Sequence, residues 1–187
     1  MSFVKDIKVI IIPGNGGDKP EDKWFHYVVG ELGKLGLEVI NREFPDPVLA
    51  RKEYWLSFLE KELQADDNTI LIGHSSGAIA ALRFAETYKI LGSVLVSAYL
   101  DDLGIESEKQ SGYFTDPWDF NAIKKNQEWI IQFASTDDPY FSIEQPRFIR
   151  DNLQTEYYEF NDRGHFGSEW KEFPELITAV KKRIIIS

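Results

Sequence analysis

The five residues Gly73-His74-Ser75-Ser76-Gly77 restrict what this chain can become more than any other stretch. They follow the apolar run Thr69-Ile70-Leu71-Ile72 and precede Ala78-Ile79-Ala80-Ala81-Leu82-Arg83-Phe84, so a strand-like run passes through a glycine-flanked turn into a helix-like run. That succession is a nucleophile elbow. A serine displayed above a sheet needs a tight, strained turn, and glycine on either side removes the side chains that would collide there. Ser75 is the expected nucleophile. The backbone N–H of Ser76, at the start of a helix whose dipole favours negative charge, is the expected donor to an oxyanion.

An elbow of this kind requires a parallel sheet around it, and the rest of the chain supplies one. Ile7 to Ile12 reads as a buried strand ending in the loop Pro13-Gly14-Asn15-Gly16-Gly17. A phosphate cradle would continue into Gly-Lys-Ser or Gly-Lys-Thr, whereas Asp18-Lys19-Pro20 follows, so the spacing speaks against a flavodoxin-like or other nucleotide-binding protein. In a serine hydrolase such a loop gives the second oxyanion N–H, and Asn15 is the residue expected to provide it. Glu21 to Leu35 carries Trp24, Tyr27, Val28, Leu32 and Leu35 at helical spacing, Leu37 to Asn41 reads as a short strand, and Phe44-Pro45-Asp46-Pro47 as a rigid loop. A second amphipathic helix holds Tyr54, Trp55, Phe58, Leu59 and Leu63.

Ser93 to Ser97 is a fourth strand. Residues 99–120 then mix Asp101, Asp102, Glu106 and Glu108 with Gly104, Gly112, Tyr113, Phe114 and Trp118. The pattern suits neither a strand nor a long helix. It predicts a short lid over the elbow, or alternatively a long surface connection with aromatic anchors. Trp129 to Ala134 is a fifth strand, followed by Ser135-Thr136-Asp137-Asp138-Pro139. A carboxylate at the C-terminal end of a parallel strand faces the same crevice as the elbow. Asp138, which the following proline biases to extended backbone, is favoured over Asp137, which could instead tie the loop. Phe141 to Leu153 reads as a helix, Glu156 to Phe160 as a sixth strand and Glu169 to Lys182 as a closing helix. Between the last two lies Arg163-Gly164-His165-Phe166-Gly167. The chain has three histidines: His26 is on the first helix and His74 in the elbow, pointing away from Ser75, which leaves His165 as the base. The order serine, aspartate, histidine is the one the elbow predicts. The apolar end Ile184-Ile185-Ile186 is expected to tuck against the sheet.

At 187 residues the chain fits one domain, 1–187, and 43% apolar with 14% aromatic residues excludes a disordered chain. The absence of cysteine excludes disulfides, thiolate zinc sites and a cysteine nucleophile, and suits a reducing compartment. Met1 to Asp6 shows no basic segment leading into an apolar run, and no apolar run approaches membrane-spanning length, so the expected location is cytoplasmic. A net charge of -10 speaks against nucleic acid as a partner.

Together these features make the chain resemble the retinoblastoma-binding protein 9 family of small serine hydrolases. The residues that carry the resemblance are Ile12 to Gly17, Pro45-Asp46-Pro47, Ile72 to Ala81, Val94 to Tyr99, Ser111-Gly112-Tyr113-Phe114, Ser135 to Pro139 and Gly164-His165-Phe166. The resemblance implies a three-layer α/β/α, α/β-hydrolase-like fold with a six-stranded, mainly parallel sheet lacking antiparallel lead-in strands. It also implies a triad of Ser75, Asp138 and His165. The family is named for a member with a Leu-x-Cys-x-Glu segment proposed to bind a pocket protein. The matching stretch here, Leu63-Gln64-Ala65-Asp66-Asp67, lacks the cysteine and the glutamate, so pocket-protein binding does not carry over.

The expected activity is cleavage of a small ester or amide with no metal or organic cofactor, in a pocket drawn from Trp24, Tyr113, Phe114, Trp118 and Phe166. The alternative is a non-catalytic protein-interaction module on the same fold.

Overall fold

The computed structural model describes residues 7–185. Six strands, β1 (Lys8–Ile12), β2 (Glu38–Ile40), β3 (Thr69–His74), β4 (Gly92–Val96), β5 (Trp129–Ser135) and β6 (Glu156–Phe160), form one sheet in the order β2-β1-β3-β4-β5-β6. Every pairing is parallel. Every residue of β3, β4 and β5 is buried, which explains why these strands read as unbroken apolar runs: helices cover both faces.

The two faces draw on alternate residues of each strand. Ile10, Ile12, Leu71 and Leu95 point into one core, against α2 (Lys52–Ser57), a turn of π-helix that continues it (Phe58–Glu62), α3 (Ser76–Ala85), α5 (Phe120–Lys125) and α6 (Glu144–Leu153). Val9, Ile11, Ile70, Ile72, Val94 and Val96 point into the other, against α1 (Phe25–Gly33) and α7 (Pro174–Ile185). The result is a three-layer α/β/α fold of the α/β-hydrolase type.

Some element ends differ from the sequence pattern. The first helix starts at Phe25 rather than Glu21, because Lys23 takes φ 52, which a helix cannot accommodate. The closing helix starts at Pro174 rather than Glu169, since proline fits the first helical position, where its missing N–H costs no bond. Two short helices arise, the first within residues 99–120, where a lid or an irregular connection was expected, and the second starting at its end. One is α4 (Glu106–Ser111), ended by Gly112 at φ 78. The other is α5, capped by the Asp119 side chain, which accepts the Ala122 N–H at 2.9 Å. Ile184 packs against the second core, and Ile186 lies outside the described residues.

The chain leaves β1 for β2 on one side and returns for β3 on the other. A crevice therefore opens at the carboxyl ends of β1 and β3, the place where ligands sit in such sheets.

Candidate active site

Ser75 follows the last residue of β3 with φ 54 and ψ −122, a region that costs a non-glycine residue about 1–3 kcal/mol. The turn is held by Ser75 N–H donating to Val96 O at 2.9 Å and by Ala78 N–H donating to Ser75 O at 2.9 Å. The flanking glycines are required by close approach. A Cβ on Gly73 would stand 2.3 Å from Gly77 O, and a Cβ on Gly77 2.2 Å from Ile12 O. The helix thus packs directly on the backbone of its own turn and of β1.

The loops after β5 and β6 converge on this serine. The Ser75 hydroxyl lies 2.9 Å from His165 Nε2, and His165 Nδ1–H donates to Asp138 Oδ2 at 2.7 Å. The carboxylate at Nδ1 fixes the tautomer that leaves Nε2 free to accept. The Asp138 side chain is buried at 1% exposure, and its other oxygen accepts the Tyr140 N–H at 3.0 Å. Asp137 takes the alternative role: its Oδ1 accepts from Ser135 Oγ at 2.5 Å and from Gly164 N–H at 2.9 Å, tying the β5 loop to the His165 loop. The Ser135 hydroxyl, and after it the Gly164 N–H, hold the Asp137 carboxyl below its ordinary range. The His74 ring packs edge-on against Trp24 and Phe25, at 6.0 and 6.1 Å between ring centroids, and borders the same cleft as Ser75.

On the facing side stands the loop after β1, held to the Pro45–Pro47 loop by Gly16 N–H donating to Val48 O (3.1 Å) and Gly17 N–H donating to Pro47 O (3.0 Å). The Asn15 side chain is anchored through Nδ2–H donating to Glu108 Oε1 at 2.6 Å. Among the described residues the backbone N–H groups of Asn15 and Ser76 have no hydrogen-bond acceptor.

Ser75 and His165 open into a cleft of about 660 Å³. The five aromatic residues expected to line it do not. Trp24 and Phe166 are fully buried in the core beneath α1 and α7, where Trp24 Nε1–H donates to Phe166 O at 3.2 Å and Phe166 stacks on Phe173. They brace the His165 loop from below. Tyr113 is fully buried, Phe114 packs against Tyr99 and Tyr113, and Trp118 lies under the Arg83 guanidinium, 3.6 Å from its ring centroid. Arg83 is itself buried and donates to the carbonyls of Tyr113, Asp116 and Pro117, so these aromatics anchor the segment rather than meet a ligand.

The cleft surface comes instead from Tyr99, Leu103, Ile105, Glu108, Tyr140 and the Asp18–Lys23 pair. Sequence patterns did not single out these residues. Tyr140 was legible only as the residue after Asp138-Pro139, and Glu108 only as one acid among several. Burial pushes the Asp18 carboxyl up, but the nearby His74 and Lys23 outweigh it and hold it down to about 2. Among the described residues no group of three or more His, Asp or Glu side chains could hold a metal ion. No helix among them is long and apolar enough to cross a membrane.

Residues 9–182 match the sequence model of a family described as serine hydrolase. Serine hydrolase RBBP9 of Rattus norvegicus is 47% identical over 179 residues, covering 95% of both chains. Of solved structures, the ydeN gene product of Bacillus subtilis superimposes with a TM-score of 0.84 at 24% identity, over 95% of this chain and 98% of that one. A structure from work on carboxylesterases of the thaumarchaeon Nitrososphaera gargenis superimposes with a TM-score of 0.74 at 13% identity, over 99% of this chain and 93% of that one. These two structural likenesses show a shared fold.

Proposed function

From the membership of this chain in the serine hydrolase family, we propose that it cleaves a small ester or amide through Ser75, His165 and Asp138 with an acyl-enzyme intermediate. The observation that carries the proposal is the unbroken relay from Ser75 Oγ through His165 to Asp138, at 2.9 and 2.7 Å. His165 Nε2 takes the hydroxyl proton as Oγ attacks the carbonyl carbon, and Asp138 stabilises the imidazolium that forms. The N–H groups of Asn15 and Ser76, free of internal acceptors, meet the oxyanion. The proton on His165 then passes to the leaving group. Water, deprotonated by the same nitrogen, cleaves the acyl-enzyme and restores Ser75.

The cleft volume suits a small substrate, and its side chains give it mixed polar and apolar walls. The partner in this reading is the small-molecule substrate. Leu63, at the position matching the pocket-protein segment, is 4% exposed and offers little to a protein partner.

A fluorophosphonate probe tests the assignment. It should label the wild-type protein and leave Ser75→Ala unlabelled. Equal labelling of both, or none of either, overturns it.

A further inference from the structure

The two sides of the site are joined by a carboxylate that belongs to neither. Glu108 lies on α4, in the segment over the cleft, and is 4% exposed. Its Oε1 accepts the Asn15 amide N–H at 2.6 Å and is reached by the Ser76 hydroxyl at 3.5 Å. The Tyr99 hydroxyl, 3.2 Å from Ser76 Oγ, completes the group. The main chain of Glu108 is fixed in turn, since the Ser111 hydroxyl donates to its carbonyl at 2.6 Å. Glu108 Oε2 is buried with no hydrogen-bond partner. A half-satisfied buried carboxylate destabilises a fold that an apolar side chain of the same size would serve better, and such groups collect where function requires them.

Asn15 sits among Gly14, Gly16 and Gly17, whose N–H groups are tied to Asp18, Val48 and Pro47, and among the described residues its own side chain is tied to Glu108 alone. A donor to an oxyanion must stand within a few tenths of an ångström of its place. We infer that Glu108 is a positioning residue: by gathering the Asn15 amide and the Ser76 hydroxyl on one oxygen, it sets the distance between the two backbone N–H groups that receive the oxyanion. The inference rests on the assignment of those N–H groups made above. The segment over the cleft thereby contributes to the reaction through the loop it holds as well as by covering the site. Burial pushes the Glu108 carboxyl up, toward the uncharged form, which suits a group beside a developing negative charge.

Hydrolysis of p-nitrophenyl acetate and the rate of fluorophosphonate labelling test the role. Glu108→Ala should lower kcat and the labelling rate roughly tenfold to a hundredfold with KM changed by less than about threefold, a smaller loss than removing an oxyanion donor outright. Glu108→Gln keeps an uncharged carbonyl acceptor for the Asn15 amide and should stay within about fivefold of wild type. Asn15→Ala should lower kcat as Glu108→Ala does, and the double variant should be no slower than the slower single, because both remove one contact.

Wild-type kcat in Glu108→Ala, a Gln variant as slow as the Ala variant, or losses that multiply in the double variant would each overturn the inference. If Glu108→Ala does not fold by circular dichroism, Asn15→Ala against Glu108→Gln decides: an unaffected Asn15→Ala overturns the positioning role. A wild-type protein that neither hydrolyses the ester nor reacts at Ser75 overturns the hydrolase mechanism itself. An active wild type indifferent to Glu108 and Asn15 overturns only the positioning.

Discussion

His74 Nε2–H donates to the main-chain carbonyl of His165 at 2.7 Å, so the residue beside Ser75 holds the loop that carries the proposed base. The two rings lie 5.1 Å apart and His74 is 2% exposed. Burial pushes the His74 pKa down, against the opposing pull of Asp18. Its Nδ1 has no hydrogen-bond partner and stands 3.9 Å from Asp18 Oδ2.

His74→Ala removes both a packed ring and the donor to that carbonyl. Unfolding free energy in urea should fall by about 2–4 kcal/mol. Ester hydrolysis should slow roughly tenfold as His165 loses its placement. A variant with wild-type kcat would remove His74 from the support of the base.

Gly77→Ala and Gly16→Ala should differ sharply although both add one methyl group. At Gly77 the methyl meets Ile12 O at 2.2 Å, and backbone cannot give way, so the expected loss is about 3 kcal/mol or more together with Ser75 labelling. At Gly16 nothing stands within 4 Å, and the cost is that of φ 80 alone, about 1–2 kcal/mol. Urea midpoints that agree within error would contradict the close approach at the elbow.

Asp138→Asn keeps the shape of the buried side chain but not its charge. It should reduce kcat by roughly 10³–10⁴ with little change in KM, because the imidazolium loses its partner and Nδ1–H its acceptor. The matching change at Asp137, which ties loops and does not touch His165, should slow the reaction by no more than about tenfold. Steady-state kinetics on one ester separates the two.

Arg83→Lys should behave as a disruptive change. The guanidinium fork reaches Tyr113 O at 2.6 and 2.8 Å, Asp116 O at 2.7 Å and Pro117 O at 3.1 Å while its Cζ stands 3.6 Å from the Trp118 ring centroid, and an ammonium cannot reproduce that set. A loss of about 2–3 kcal/mol is expected, with new proteolytic cleavage between residues 112 and 118. Protection equal to wild type would show that the segment is held by other contacts.

Acid should weaken the fold through Asp18. Its ordinary pKa of 3.8 is lowered in the folded protein to about 2, so its contribution is present above the ordinary value and is lost as pH falls through the folded one. Allowing for partial exposure, the contribution is on the order of 1 kcal/mol. Asp18→Asn should therefore show a smaller drop in urea midpoint than wild type between pH 5 and about pH 2.

The sheet and the meeting of Ser75, Asp138 and His165 at the ends of its strands were legible because each rests on a local pattern. Strands buried on both faces appear as apolar runs, and the Gly73 to Gly77 elbow, the acid before Pro139 and the histidine between Gly164 and Gly167 each follow a strand end. The walls of the cleft were not legible, for a physical reason. Tyr113 and Trp118 look like ligand contacts in a polar, glycine-containing segment, yet the buried Arg83 on α3 organises that segment from outside it. Trp24 and Phe166 sit in correct proximity to His165 but on the core side of its loop. Glu108 acquires its place from Asn15, 93 positions away in the chain. No spacing within either segment encodes that contact.

The strand order also decides which part of the protein can silence the rest. His165, the proposed base, hangs from β6, an edge strand paired in the sheet with β5 alone and half-buried along most of its length, whereas Ser75, the proposed nucleophile, hangs from β3 near the centre. Edge elements open at lower free energy than central ones. Local opening of β6 should therefore displace His165 while the elbow and the first core persist, and loss of turnover on warming should precede global melting of the sheet.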